Sequence, residues 1–452
     1  MKTKLILIFV CLVSAGCNLE EINENPNVPV EVPLSTLLPP AQKGLGDAYG
    51  GRIFRYTGIF AQQLAGVDGQ ELLVENYQPD EQFIGNVWSD LYVGSMVNLK
   101  IILDQGAESE SPHYTGVARV MMAQSLGILS DVWGDVPYSQ ALQGPAFPNP
   151  EYDSQEAIYA EIQSLLDQGI VELGFTESTF SPGSDDIFFQ GNLQAWIGAA
   201  HLLKARYYLR TTKRSSSAAT DALNALSGAM TSSANDLQYN YLGSGADINP
   251  ISSFYQITPY AVIDTQFVKI LELREDPRLT HMFRNIPFSG GRRRPGDFFA
   301  SENAPIKLAS YLERLFISAE AKYRTGDQAG AQNDLDEAVT LSMNQVSASA
   351  ISSEVIGIHL DMQTQLSGNF DSDLQTILTE KYIALFTSPE PWADWRRTGY
   401  PVLLPNAVGS TAANPNGEIP RRLIYPQSER LRNTNFPQPA PNMQTRFWWD
   451  LN

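Results

Sequence analysis

The chain has 452 residues, of which 43% are hydrophobic and 18% charged, enough apolar material for a large core without help from disulfides. Its 31 basic and 50 acidic residues leave a formal net charge of −19, and a surface of that sign repels phosphate backbones and excludes nucleic acid as a natural partner. Both cysteines, Cys11 and Cys17, fall near the start, so loss of a leader leaves at most one thiol and no intramolecular disulfide.

Lys2 and Lys4 precede an apolar run over residues 5–13, and the small residues Ser14, Ala15 and Gly16 stand before Cys17. This is the architecture of a signal peptide over residues 1–16, and the run is too short to cross a bilayer as a helix. Ser14-Ala15-Gly16-Cys17 resembles a bacterial lipobox, in which the cysteine becomes the acylated N-terminus. Ser14 stands where lipoboxes usually carry leucine, so plain signal cleavage is the alternative. Residues 17–33, rich in Asn, Glu and Pro, read as a tether too polar to build a core. Glu20 and Glu21 resemble the acidic surface-export signal of such lipoproteins. Acyl chains on Cys17 would hold the outer membrane at about 0.8 kcal/mol per buried methylene.

From residue 34 onward helical spacing dominates, and residues 34–452 read as a single domain. Segments 34–64 and 78–104 are helical in character. Ala118, Met121, Met122, Ser125, Leu126 and Leu129 put a Met-rich stripe on one helix face. Trp196, Ala199, Ala200, Leu203 and Tyr207 repeat that spacing, as do Leu312, Leu315, Phe316, Ala319 and Tyr323. Leu374, Ile377, Leu378, Tyr382 and Leu385 form another stripe, with Asp371 expected as its N-cap. Within 319–338, a helix is expected to end at Gly326 and the next to start from an Asp327 cap, with small alanines between. This pattern resembles a tetratricopeptide helix pair, and residues 195–230 look like a weaker copy. The expected fold is all-α: tetratricopeptide-like repeats packed against an irregular, loop-rich half that binds ligand, with at most short β-hairpins. The irregular stretches are 65–78, 136–153, 174–192, 231–262, 284–307 and 399–447, and their Tyr, Phe and Trp make them the place for binding residues.

Seven segments recur in one order: 23–27 (NENPN), 131–138 (DVWGDVPY), 276–279 (DPRL), 319–327 (AEAKYRTGD), 379–386 (TEKYIALF), 392–399 (WADWRRTG) and 420–429 (PRRLIYPQSE). Together they resemble the SusD/RagB family of nutrient-binding outer-membrane lipoproteins over nearly the whole chain. The resemblance implies four tetratricopeptide-like units, a ligand that is mostly a glycan and sometimes a peptide, and a SusC-like TonB-dependent barrel as partner. It implies no catalysis; no cofactor is expected and no metal-ligand set is singled out, with calcium on a loop left open. Motifs shared by members with different ligands are expected to hold the fold, so Trp392 and its neighbours read as structural, with Arg396 or Arg397 stacked on Trp or paired with Asp394.

The ligand site is expected in the loops instead, because sugar C–H faces pack on aromatic rings and sugar hydroxyls need Asn, Asp, Gln and Arg. Candidates are Asp68, Gln70, Asn76, Tyr77, Trp88, Tyr239, Tyr241, Phe254, Tyr255 and Tyr260. Arg292, Arg293 and Arg294 form a basic turn that suits an acidic sugar, a peptide carboxylate or the transporter, although a solvated charge run is the plainer reading. Two other functions are open. A surface glycoside hydrolase needs two carboxylates at a set separation, which no spacing here singles out. A periplasm-facing tetratricopeptide adaptor would bind protein instead of nutrient. The four histidines, His113, His201, His281 and His359, show no metal-ligand spacing.

Overall fold

The computed structural model describes residues 32–286 and 291–451, so the signal peptide, Cys17 and all but the last two residues of the tether lie outside the described residues. Four successive helix pairs form the frame: Pro112–Trp133 with Gln155–Leu173, Leu193–Arg210 with Ala218–Leu226, Tyr311–Arg324 with Gln328–Ser347, and Phe370–Ala384 with Glu390–Thr398. Each pair packs on the next. The sequence marks several of their starts: Ser154, Asn192, Ser310 and Asp327 each accept a backbone N–H of the first turn. Gly326 leaves the third pair's first helix at φ +92, as its place before Asp327 demands. The fourth pair begins earlier than expected. Asn369, not Asp371, is its cap, and it accepts from the Ser372 N–H at 3.1 Å.

A second layer of helices closes over this frame. Leu34–Ala48 runs into Phe54–Phe60 through a π-turn at Tyr49–Ile53, and Glu81–Leu91 runs into Val97–Glu108 through another at Tyr92–Met96. The irregular stretch expected at 65–78 contains a helix, Gly69–Glu75, and 231–262 contains Pro250–Ile257. Strands are three or four residues long and form three antiparallel pairs among the described residues. Only Phe283–Asn285 with Arg293–Pro295 is a hairpin; Leu64–Gly66 pairs with Ala261–Ile263 and Leu237–Tyr239 with Ile306–Ala309, joining loops far apart in the chain. The last 50 residues carry little regular structure and are held by anchors. Leu423 donates to the Val132 carbonyl at 3.0 Å, and Tyr425 donates its hydroxyl to the Asp135 carbonyl at 2.6 Å.

Charge is buried in the frame as a continuous seam. Arg206 grips Glu313 at 2.6 Å; Arg210 reaches Glu390 at 2.6 Å and Asp131 at 3.0 Å; Lys381 and Arg397 both meet Asp394 at 2.8 Å; Arg397 also holds Glu320. All five helices that supply these groups are thereby set in register. Unpaired, each charge would be costly to bury. Arg396 fills the adjoining aromatic cage, 3.6 Å from the Trp392 ring centroid and 4.9 Å from that of Trp449. The Trp392–Gly399 motif therefore holds structure, by the two contacts its composition suggests.

Candidate functional site

The pairing of Leu64–Gly66 with Ala261–Ile263 brings two distant loops edge to edge. The N–H groups of Val67 and Asp68 donate to the Tyr260 carbonyl at 2.8 and 3.3 Å. The Tyr260 ring lies directly over Gly69, where a Cβ would stand 2.4 Å from the ring; Gly69 also has φ +53, so glycine is needed there twice over. Asp68 is exposed and Gln70 half-buried on the same shelf. The Pro250–Ile257 helix, capped by Asn249, supplies Phe254 and Tyr255. Arg55 ties these elements together, with its guanidinium 4.3 Å from the Phe254 ring centroid and 3.2 Å from the Glu71 carboxylate. Tyr255 and Tyr260 are half-buried, and the Tyr255 hydroxyl itself is enclosed without a hydrogen-bond partner among the described residues.

Beside this shelf lies an open groove of about 500 Å³, lined by Lys43, Asp47, Arg52, Asp90, Phe254 and Ile257 among others. Both π-turns border it, contributing Gly51 with Arg52 from one and Gly94 from the other. Such single-turn widenings of a helix occur often at functional sites. Here they accompany close backbone approach, since a Cβ on Gly44 would lie 2.0 Å from the Gly94 carbonyl oxygen. The groove walls carry charge of both signs in pairs: Arg52 with Asp90 at 2.7 Å, and Lys43 with Asp47 at 2.9 Å. Groups so arranged offer both donors and acceptors to hydroxyls, while Ile257 is 74% exposed and offers an apolar edge. A wider depression of about 650 Å³, lined by Glu110, Thr115, Glu172 and Phe175 among others, shares no lining residue with the groove. Its Glu172 is already taken by Arg119 and Thr115, at 2.8 and 2.9 Å.

The ten candidates divide. Asp68, Gln70, Tyr255 and Tyr260 gather on the shelf, and Arg292 lies on the neighbouring hairpin, whose second strand packs beside Ala261–Ile263. Asn76 ends the Gly69–Glu75 helix, half-buried. Tyr77, Trp88 and Tyr241 do not offer ring faces, which corrects their grouping with open platforms. Tyr77 is 1% exposed, and its hydroxyl accepts the Asn406 N–H at 3.0 Å. Trp88 is wedged among Tyr92, Trp133 and Tyr425, with ring centroids 4.9–6.1 Å away. Tyr241 donates its hydroxyl to Asp47 at 2.8 Å, and Lys43 sits over its ring. Tyr239 and Phe254 are buried in the same way. The sequence reading did not select Arg52, Asp90 and Lys43; the available signal was the glycine pair at 50–51 and the single glycine at 94, each interrupting an otherwise helical segment.

Two carboxylates near the shelf titrate unusually. Burial, reinforced by Asp264, pushes Glu75 up to about 7, and burial pushes Asp264 up to about 6. An acid–base pair for hydrolysis would need free oxygens facing the ligand. Both Glu75 oxygens instead accept bonds from within the fold, from the Gly66 N–H at 2.9 Å and the Asn406 amide at 2.6 Å. Asp264 caps the helix Thr265–Leu273 by accepting from Gln266 at 2.6 Å. Asp276, His359 and Glu380 form a buried group with metal-ligand geometry. A guanidinium already stands there: Arg278 meets Asp276 and Glu380, each at 2.6 Å.

Residues 26–426 match the family model SusD-like, described as starch-binding and associating with the outer membrane. No curated protein sequence matches the chain. Among solved structures, a SusD/RagB family protein from Bacteroides thetaiotaomicron superposes with a TM-score of 0.78 at 24% identity, covering 93% of this chain and 99% of that one. A chitin-binding SusD homolog from Flavobacterium johnsoniae gives 0.77 at 22% identity, covering 93% and 99%. A SusD homolog from Bacteroides uniformis gives 0.77 at 20%, with the same coverage. At these identities the superpositions establish the fold.

Proposed function

Because the chain belongs to the SusD-like family, whose members associate with the outer membrane, we propose that it captures glycans at the cell surface and hands them to a SusC-like TonB-dependent barrel. The observation that carries the reading is the shelf and groove: the half-buried Tyr255 and Tyr260 near Asp68, Gln70, Arg52 and Asp90, all fixed to a helical frame. Sugar rings would stack on the tyrosines while their hydroxyls bond to the carboxylates and guanidiniums. One structural neighbour is a chitin-binding SusD homolog and the family is described as starch-binding, and both point to polysaccharide. Binding without chemistry fits a Glu75 carboxylate whose two oxygens both accept bonds inside the fold, and an Asp264 carboxylate that caps a helix.

Acylation of Cys17 would tether the protein to the outer membrane, with residues 18–33 as the leash and the binding face turned to the exterior. Labelled palmitate incorporated into the wild type and not into Cys17→Ser supports the anchor, and equal labelling refutes it. The function itself is tested by calorimetry and affinity electrophoresis of the purified protein against a polysaccharide panel, with the reducing ends assayed afterwards. Saturable binding with no new reducing ends supports the reading. Release of oligosaccharide, or no binding across the panel, overturns it.

A further inference from the structure

The hairpin Phe283–Asn285/Arg293–Pro295 concentrates positive charge in a chain of net charge −19. Its register sets Arg284 opposite Arg294, and the ladder extends one step further through the Ile286 N–H, which donates to the Arg292 carbonyl at 2.8 Å. Side chains alternate across a strand, so Arg284, Arg292 and Arg294 share one face of the ribbon. Phe283 and Pro295, on the other face, are buried. At this end of the ribbon the arginine face is thus the outward one, with Arg284 exposed and Arg294 half-buried, while Asn285 further along the other face is exposed as well.

Like charges directly opposite on a strand pair destabilise it. Asp297 lies 3.3 Å from Arg284 and offsets part of that repulsion, but among the described residues no carboxylate forms an ion pair with Arg294. A like-charge pair retained at a cost to the local fold marks a place where an external counter-charge is expected. The hairpin also stands against the shelf. Its second strand packs beside Ala261–Ile263, the strand that follows Tyr260, and the Arg294 charge acts on the Tyr255 hydroxyl. The remaining charged groups around Tyr255 are Arg55 and Glu71, which neutralise each other at 3.2 Å.

We infer that the site selects anionic glycans, with sugar rings on the Tyr255–Tyr260 shelf and their carboxylate or sulfate groups on Arg294 and Arg284. The inference rests on the glycan-binding reading. A guanidinium matches a carboxylate or sulfate with two parallel N–H donors, and a ring platform beside it suits a uronic acid or sulfated sugar better than a free small anion. A peptide carboxylate is the competing source of the same charge, and the tyrosine shelf with its hydroxyl partners favours sugar.

The test is a set of matched pairs: polygalacturonate against its carboxyl-reduced form, and chondroitin sulfate against its desulfated form, titrated into the full protein at low and high salt. The acidic member of one pair is expected to bind roughly fivefold to tenfold tighter at low salt, as a few exposed ion pairs permit, with the advantage shrinking as salt rises. Which pair shows it separates carboxylate from sulfate. Arg284→Gln/Arg294→Gln should abolish the preference while leaving neutral-glycan affinity unchanged and the melting temperature unchanged or slightly raised, since the opposed like charges are removed. The lysine double variant should retain part of it. Tyr260→Ala should weaken both members of a pair alike. Equal affinity within both pairs, or a preference that survives the double glutamine variant, overturns the inference and leaves glycan binding standing. Tighter binding of poly-glutamate than of any polysaccharide overturns it in favour of peptide. Absence of polysaccharide binding altogether sinks both readings.

Discussion

Replacing Glu320 by Gln removes one charge from the buried seam while keeping the side chain's shape. Glu320 is fully buried and receives Arg397 through two guanidinium nitrogens and Arg324 at 2.7 Å. Burial alone would raise its carboxyl; the adjacent Arg397 and Arg324 outweigh that and hold it down at about 2. Against an ordinary value of 4.5, that depression corresponds to about 3 kcal/mol of native-state stabilisation. Direct measurements of broken buried pairs give a similar loss of about 3–5 kcal/mol, because the surviving charge is left uncompensated. With an unfolding entropy of roughly 2.1 cal/mol/K per residue, the melting temperature should fall by roughly 3–6 °C at pH 7. The sign with pH follows. A depressed carboxyl contributes fully above its unfolded value and loses that contribution as pH falls toward 2. The gap between wild type and Glu320→Gln should therefore be full at pH 7 and close progressively below pH 4.5. Urea unfolding followed by circular dichroism across that range measures it. A gap under about 1 kcal/mol at pH 7, or one that does not narrow in acid, refutes the idea that the seam stabilises through paired charge.

Other substitutions separate structure from binding. Trp88→Ala should destabilise by about 3–5 kcal/mol, since the indole fills a buried slot; a melt unchanged from wild type would return Trp88 to the list of ligand platforms. Tyr260→Ala should lower glycan affinity roughly tenfold with a smaller effect on the melt, and retention of affinity in calorimetry would move the site elsewhere. Gly44→Ala puts a Cβ against the Gly94 carbonyl and should cost about 1–3 kcal/mol in urea unfolding, a neutral result contradicting the close approach of the two π-turned helices. Glu75 and Asp264 have raised values, so they oppose stability as pH climbs from about 5 toward 8. Glu75→Gln should flatten the pH–stability curve in that interval, and an unaltered slope would show that Glu75 titrates normally.

The frame was legible where local chemistry is sufficient. Ala319 to Asp327 encodes a helix, a glycine stop and a cap within nine residues, and the structure places a helix pair there. Arg396 and Arg397 follow the rule that a cation beside an indole and a carboxylate takes one or the other, and both contacts form. Illegible elements depend on remote partners. The strands are too short to show alternation, and two of the three pairs link segments more than 60 residues apart. Burial of Tyr77 and Trp88 is imposed from the far end of the chain, where Asn406 and Tyr425 fold back on them. An aromatic in a loop reads as open until the covering residue is known. Asn369 took the cap from Asp371 because Asp373, one turn on, collects the N–H groups of Ser367 and Gly368 and pins the entry earlier. The π-turns left only their glycines as a trace, and a glycine inside a helix pattern has several meanings.

The most direct measurement is a crystal structure of the protein with its tightest-binding oligosaccharide from the panel. The account predicts intact sugar rings lying on Tyr255 and Tyr260, with hydroxyls bonded to Asp68, Gln70 or the Arg52–Asp90 pair and no cleaved glycosidic bond. Density for the sugar in the depression beside Phe175, or a hydrolysed product held by Glu75 and Asp264, would contradict it.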